Sequence, residues 1–210
     1  LYLSFQGRLH LSIEQELERL KLIAQSVDER EKSKAVLHVG NHHFYVKPTG
    51  KGRFSFVLAD NWFHIQLAAS TAKSLPMAYV QISSEVITTG GLHNVLPELD
   101  HLISLIGECR FEPAVSRTDI CVDFTTGVDF TQIQRLAWVS RSNAFHQYFD
   151  GKVLTGYVFG EGGDLSCRLY NKTKEIEKSK KTYCHPIWSF NGWNGEQTIW
   201  RLEFQFRRPV

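Results

Sequence analysis

The stretch RLYNKTKE, residues 168–175, changes period in its middle. Arg168, Tyr170 and Lys172 alternate with Leu169 and Asn171, the two-residue period of a strand. From Thr173 the chain turns charged and reads as a helix over residues 173–181, with Glu175 near its start. Two other runs alternate in the same way. In SRTDICVDF (116–124), Arg117, Asp119, Cys121 and Asp123 share one face, and Thr118, Ile120, Val122 and Phe124 the other. In TIWRLEFQFRR (198–208), Arg201, Glu203, Gln205 and Arg207 share a face backed by Trp200, Leu202, Phe204 and Phe206. Each run should turn its apolar side to packed helices and its polar side outward.

The rest of the chain fits the same class. Ser12-Ile13-Glu14-Gln15 reads as a capping box opening a helix that ends near Ser26, with Leu17 and Leu20 on its apolar face. Strand-like runs follow at AVLHVG, HHFYVKP, FSFVLAD, WFHIQLA and YVQISSEVI, with turns at Gly40-Asn41 and Asp60-Asn61. Asn94 is expected to cap a helix carrying Pro97 in its first turn. After Gly107 come a strand at 111–124, an amphipathic segment at 130–141, a strand at VLTGYVFGE, the strand and helix of residues 165–181, an irregular loop at 182–198 and a closing strand. The expectation is an α+β fold, helices packed on one face of antiparallel sheet, with two similar subdomains. Residues 1–7 (LYLSFQG) look like a protease-tag remnant and are set aside. Residues 8–107 form a β-rich N-terminal part and 108–210 the part with the three alternating strands. The strand-like run into RRPV suggests a chain cut from a longer protein.

Composition narrows the classes. The chain has 210 residues, 42% hydrophobic and 22% charged, in the range of globular domains. No run of 18 apolar residues and no export signal is present, so a cytoplasmic protein is expected. Cys109, Cys121, Cys167 and Cys184 are far apart with no CxxC pair, which argues for reduced thiols and against a zinc site. Net charge is +2, but residues 167–210 hold nine Lys and Arg against four Asp and Glu, which suits a polyanionic partner.

If the three polar faces lie in one sheet, Asp119, Asp123, Tyr170 and Glu203 converge. Carboxylates on a rigid face bind a hard cation, Mg²⁺ or Mn²⁺. Such an ion polarises a phosphoryl oxygen. A phenol has a pKa of about 10, so Tyr170 needs Lys172, Arg168 or the metal to favour its phenolate before it can act as a nucleophile. The bland alternative is an antiparallel sheet with one solvated face and an ordinary strand tyrosine. Trp188, Phe190 and Trp193 either stack unpaired bases or fold back over a core. In Asn41-His42-His43-Phe44 the adjacent histidines point to opposite faces, so both are expected to be structural.

At these residues the chain resembles the replication initiation factors of rolling-circle plasmids, some filamentous phages and integrative elements. That family carries R-x-D-x-x-x-D, R-x-Y-x-K-x-x-E and R-x-E strands in this order. Here they are Arg117-Thr-Asp119 with Asp123, Arg168-Leu-Tyr170-Asn-Lys172 with Glu175, and Arg201-Leu-Glu203. The resemblance covers roughly residues 79–208. It implies nicking of one origin strand, a 5′-phosphotyrosyl link and a 3′ hydroxyl primer. By that resemblance Tyr170 is the nucleophile, assisted by Arg168 and Lys172. Asp119, Glu203, Asp123 and Glu175 hold Mg²⁺ or Mn²⁺, although Glu175 also suits the first turn of a helix. Arg117, Lys174, Arg201, Arg207, Trp188 and Trp193 are the DNA-contacting candidates. No second tyrosine lies near Tyr170, so one-tyrosine chemistry and a homodimer are implied. Double- and single-stranded origin DNA and a host helicase are the expected partners. The competing expectation is a non-catalytic nucleic-acid-binding protein. Tyr170 can act as proposed only where Asp119 and Glu203 stand beside it.

Overall fold

The computed structural model describes residues 1–134 and 137–208, and the fold is α+β with antiparallel sheet throughout. The chain divides into two compact units, Leu1–Ser116 and Arg117–Val210. The division expected at Gly107 thus falls inside the first unit. Among the described residues no helix is long and apolar enough to cross a membrane.

In the first unit the elements run β1 (Tyr2–Phe5), β2 (Gly7–Leu9), α1 (Leu11–Ala24), α2 (Glu29–Lys32), β3 (Val36–Val39), β4 (His42–Val46), β5 (Phe56–Ala59), β6 (Phe63–Leu67), β7 (Ala78–Ile82), α3 (Ser84–Gly90), α4 (Leu92–Ile106) and β8 (Gly107–Cys109). The main sheet has the order β1-β7-β6-β5-β4-β3, and β2 pairs with β8. Leu17, Leu20 and Ala24 of α1 and Val95, Leu99, Leu102, Ile103 and Ile106 of α4 join the buried sheet residues in one core. The apolar stripe of the first helix therefore packs inward.

Several local expectations give way here, each to a named contact. Residues 1–7, set aside as a tag remnant, are packed into the fold. Leu3 and Phe5 are 4% and 2% exposed, and β1 pairs with β7 from Tyr2↔Gln81 to Phe5↔Ala78. The capping box does not form. The cap of α1 is His10, which makes no side-chain capping bond, while its backbone N–H donates to Ile106 O at 3.1 Å. A tertiary hydrogen bond thus sets the helix start. The run 79–87 leaves the sheet at Ile82 and becomes α3, which buries Val86, with the Thr88 and Thr89 hydroxyls donating to Ser84 O and Glu85 O at 2.7 and 2.8 Å. Gly91 (φ 73°) separates α3 from α4, a left-handed conformation that suits glycine. Consequently α4 starts before Asn94, whose amide donates back to Gly90 O at 2.8 Å, and Pro97 lies inside the helix.

In the second unit, β9 (Ala114–Phe124) leads to β10 (Phe145–Asp150), β11 (Val153–Phe159), β12 (Leu165–Asn171), α5 (Lys172–Ser179), α6 (Cys184–Phe190) and β13 (Trp200–Arg207). The strand order is β10-β11-β12-β13-β9. The segment expected to be an amphipathic helix at 130–141 holds no α-helix among its described residues, which include a short 3-10 turn at Phe130–Gln132, and Leu136 lies outside them. Its apolar residues pack without helical periodicity. Phe130 and Trp138 lie against the sheet cluster of Tyr157, Phe159, Leu169 and Trp200, and the Tyr157 hydroxyl donates to Phe130 O at 2.5 Å. Val139 faces solvent. The loop expected at 182–198 contains α6.

Candidate phosphodiester-handling face

The strand β13 is the centre of the site. On its polar side Arg201 stands opposite Tyr170 of β12 and Asp123 of β9. Glu203 stands opposite Arg168 and Cys121, and Gln205 opposite Ser166 and Asp119. Cross-strand partners point the same way, so the three alternating runs do present one common face. The spatial middle is the Arg201–Glu203 strand, with the tyrosine strand to one side.

Each charged group on this face has a defined partner. The Tyr170 hydroxyl donates to Glu203 Oε2 at 3.2 Å, and Arg168 Nη1 lies 3.8 Å from Glu203 Oε1. Arg201 binds both oxygens of Asp123, at 2.6 and 2.7 Å, and Trp188 Nε1 adds a third bond to Asp123 at 2.8 Å. Arg117 likewise clasps Asp119 with two bonds at 2.7 and 2.6 Å. Lys172, 1% exposed, pairs with Glu175, and its ammonium sits 5.9 Å from the centre of the Tyr170 ring. Gly156 faces Tyr170 on the other side. A Cβ there would lie 2.8 Å from Tyr170 Cβ and from Leu169 O, so only glycine leaves the tyrosine room.

Electrostatics follow from these pairings. Burial pushes the Tyr170 phenol above the ordinary phenol range, and the negative charge of Glu203 adds to this against an opposing pull from Arg201. In this state Tyr170 is a protonated donor aimed at a carboxylate. The expectation that Lys172 favours the phenolate meets a lysine whose charge is shared with Glu175. Burial acts to raise the Asp123 pKa, but the bonds from Arg201 and Trp188 outweigh it and hold the carboxyl below its usual value. Glu175 is lowered in the same way: burial opposes the shift, and Lys172 dominates it.

The structure brings together Tyr170, Arg168, Lys172, Glu175, Arg201, Glu203 and Asp123. Asp119 stands apart. It is four residues from Asp123 on β9, about 13 Å along an extended strand, and it belongs to the row of Gln205. Of the two acids on which the expectation for Tyr170 depends, Glu203 stands beside it and Asp119 does not, so that condition is met only in part. Trp188 is not a stacking surface: it is 5% exposed, packs with Ile176, Cys184 and Ile199, and serves Asp123. Trp193 is half-buried against the same cluster with its indole N–H bonded to Gln197 O at 2.8 Å, while Phe190 is 91% exposed. Lys174 lies in the first turn of α5 and Arg207 is exposed. Tyr183 packs against the Trp188 cluster.

Sequence reading missed Gly156, whose only signal was a glycine inside a strand, and two orphaned donors. Arg168 Nε and Gln205 Nε2 are buried with no hydrogen-bond partner among the described residues. Each such group costs about 1–3 kcal/mol, and an acceptor oxygen brought to the face would recover it. Among the described residues no group of three or more His, Cys, Asp or Glu is arranged to hold a metal ion. The carboxylate oxygens of Glu203, Asp123 and Asp119 are nevertheless the donor class that Mg²⁺ or Mn²⁺ takes.

The histidine pair of the first unit behaves as structural residues do. His42 Nδ1 bonds Asp60, its Nε2 lies 3.5 Å from Glu98, and its ring packs on Phe44, Trp62 and Phe63. His43 is exposed, edge-on to His38. No protein-family model matches the chain, and no curated protein matches it.

Proposed function

We propose that the second unit nicks one strand of DNA and holds the cut 5′ end on Tyr170, as a rolling-circle replication initiator does. The observation that carries this reading is the hydrogen bond from the Tyr170 hydroxyl to Glu203, with Arg168 beside the same carboxylate. A general base within hydrogen-bond reach of its nucleophile is the arrangement proton abstraction requires. In the step, the Tyr170 oxygen bonds to phosphorus while its proton passes to Glu203. The bond from phosphorus to the 3′ oxygen breaks, and that oxygen leaves as a free 3′ hydroxyl after taking a proton from water. The Arg168 guanidinium, beside the same carboxylate, would offer N–H donors to the phosphate oxygens, where preorganised donors stabilise developing charge. Glu203 with Asp123 would hold Mg²⁺ or Mn²⁺, which supplies Lewis-acid polarisation of the phosphoryl group, and Asp119, about 13 Å from Asp123, would not share that ion. With one tyrosine per chain at the site, resealing calls for a second protomer, and a cytoplasmic homodimer working with a helicase on origin DNA completes the reading.

The test is covalent capture. The protein, supercoiled origin DNA and Mg²⁺ or Mn²⁺ should yield nicked circles and a protein–DNA adduct that survives denaturant. Tyr170→Phe should abolish the adduct, and Glu203→Gln should slow it about 10²–10⁴-fold. An adduct that persists in Tyr170→Phe refutes the assignment. A second reading, a nucleic-acid-binding protein without catalysis, is favoured by the bidentate arginines on Asp119 and Asp123 and by the raised Tyr170 pKa. Metal-independent binding with no cleavage of any single strand would establish it.

A further inference from the structure

A cavity of about 240 Å³ opens in the first unit, between the small β2–β8 sheet and the loop that joins β6 to β7. Its walls carry Arg8 from β2, Lys73 from the loop, and Arg110 and Phe111 just after β8, together with Gln6 and Ser70. Among its described lining residues none is acidic. Arg8, Lys73 and Arg110 are exposed, and none of the three forms an ion pair among the described residues. Glu108 stands across the ladder from Arg8 without pairing with it. Three uncommitted cations around one concavity favour an anion there, with Glu14, which accepts from Ser70 N at 2.9 Å, an acid bonded to its wall. Phe111 is 71% exposed, which leaves its ring open at the rim.

Size selects among anions. Small-molecule sites run from about 300 Å³ upward, so this open cavity suits the part of a longer ligand that carries the charge, such as a phosphate and its sugar. An attached base would then fall at the rim, where the Phe111 ring is exposed. A phosphate inside and an aromatic ring at the rim is how proteins hold unpaired nucleic acid. We infer that this cavity is a binding site for the backbone of single-stranded nucleic acid, with Arg8, Lys73 and Arg110 on the phosphate and Phe111 stacking the adjoining base. The site involves no residue of the Tyr170 face and stands without the nicking reaction.

The experiment uses a fluorescent ten-nucleotide oligothymidylate and the full chain carrying Tyr170→Phe, so that no reaction intervenes. Fluorescence anisotropy is followed from 50 to 300 mM salt. The slope of log affinity against log salt should fall by about 0.7 for each phosphate contact removed in the triple variant Arg8→Ala, Lys73→Ala, Arg110→Ala. That corresponds to about fivefold in affinity per contact at 0.1 M salt. Phe111→Ala should weaken binding about tenfold and leave the slope alone, because stacking carries no charge. All four side chains are exposed at their tips, so folding should survive, and circular dichroism checks this. Unchanged affinity and slope in the triple variant overturn the site. Thymidine monophosphate competing as well as the oligonucleotide, nucleotide for nucleotide, overturns the strand and leaves a mononucleotide site.

Discussion

Replacing Trp188 with phenylalanine separates two readings of one residue. Its place beside Phe190 and Trp193 allows it to stack a base, whereas its position in the fold makes it a support for Asp123. Phenylalanine retains most of the ring that packs among Ile176, Cys184 and Ile199, but removes the indole N–H held 2.8 Å from Asp123 Oδ2. A hydrogen bond to a charged group contributes about 1.5–3 kcal/mol. Asp123 keeps its two bonds from Arg201, so the lower half of that range applies, about 2 kcal/mol. For a chain of this length that lowers Tm by about 4–8 °C. Urea unfolding of the wild type, Trp188→Phe, Asp123→Asn and the double variant forms a cycle whose coupling energy should be about 1–2 kcal/mol. Oligonucleotide affinity should stay within twofold of wild type. Unchanged stability together with a tenfold loss of single-strand affinity would refute the structural role and restore Trp188 as a stacking surface.

Three other outcomes follow from the same geometry. Asp123 is held below its ordinary pKa of about 3.9, so its pairing with Arg201 stabilises the fold above that pH and loses its contribution as pH falls through the lower, folded value. The stability gap between wild type and Arg201→Met, read from urea midpoints, should be constant from pH 8 to about 5 and close below about pH 4. Phe5→Ala should cost about 3–5 kcal/mol, because Phe5 is 2% exposed in the main core. A change below 1 kcal/mol would show that β1 contributes little to the core. Gly156→Ala, the smallest change that adds a Cβ, should force β11 and β12 apart locally, because that Cβ would lie 2.8 Å from Leu169 O and Tyr170 Cβ, and so displace Tyr170, with circular dichroism checking that the fold survives. Adduct formation should fall at least tenfold, and full activity would show that the tyrosine has room to spare.

The alternation of SRTDICVDF, RLYNK and WRLEFQFR was legible because a strand's period is set by local backbone geometry. It specified which residues share a face before any partner strand was known. The same rule failed for the back of the sheet. At one end Phe124, Trp200 and Leu202 pack against Phe130 and Trp138. At the other, Ile120 and Val122 are 59% and 54% exposed and Phe206 is 45% exposed. The helices expected there do not cover it, and the polar side holds Gln205 at 1% exposure. Hydrophobicity says which face prefers burial, but what lies on that face is a property of chain segments far away in sequence. Residues 84–87 show the converse: they end a run that reads as strand over 79–87, and they lie in a helix that buries Val86.

Local order alone thus determined the α+β class, the three strands and the membership of their polar face. Register needed the tertiary structure. That Arg201 falls between Tyr170 and Asp123, that Glu203 meets the tyrosine hydroxyl, and that Asp119 is left about 13 Å down its strand are decided by how β13 slides between β12 and β9. A shift of two residues would keep every face intact and replace every neighbour. Only the packing of the whole sheet distinguishes such registers, because the energy that separates them comes from contacts between residues distant in the chain.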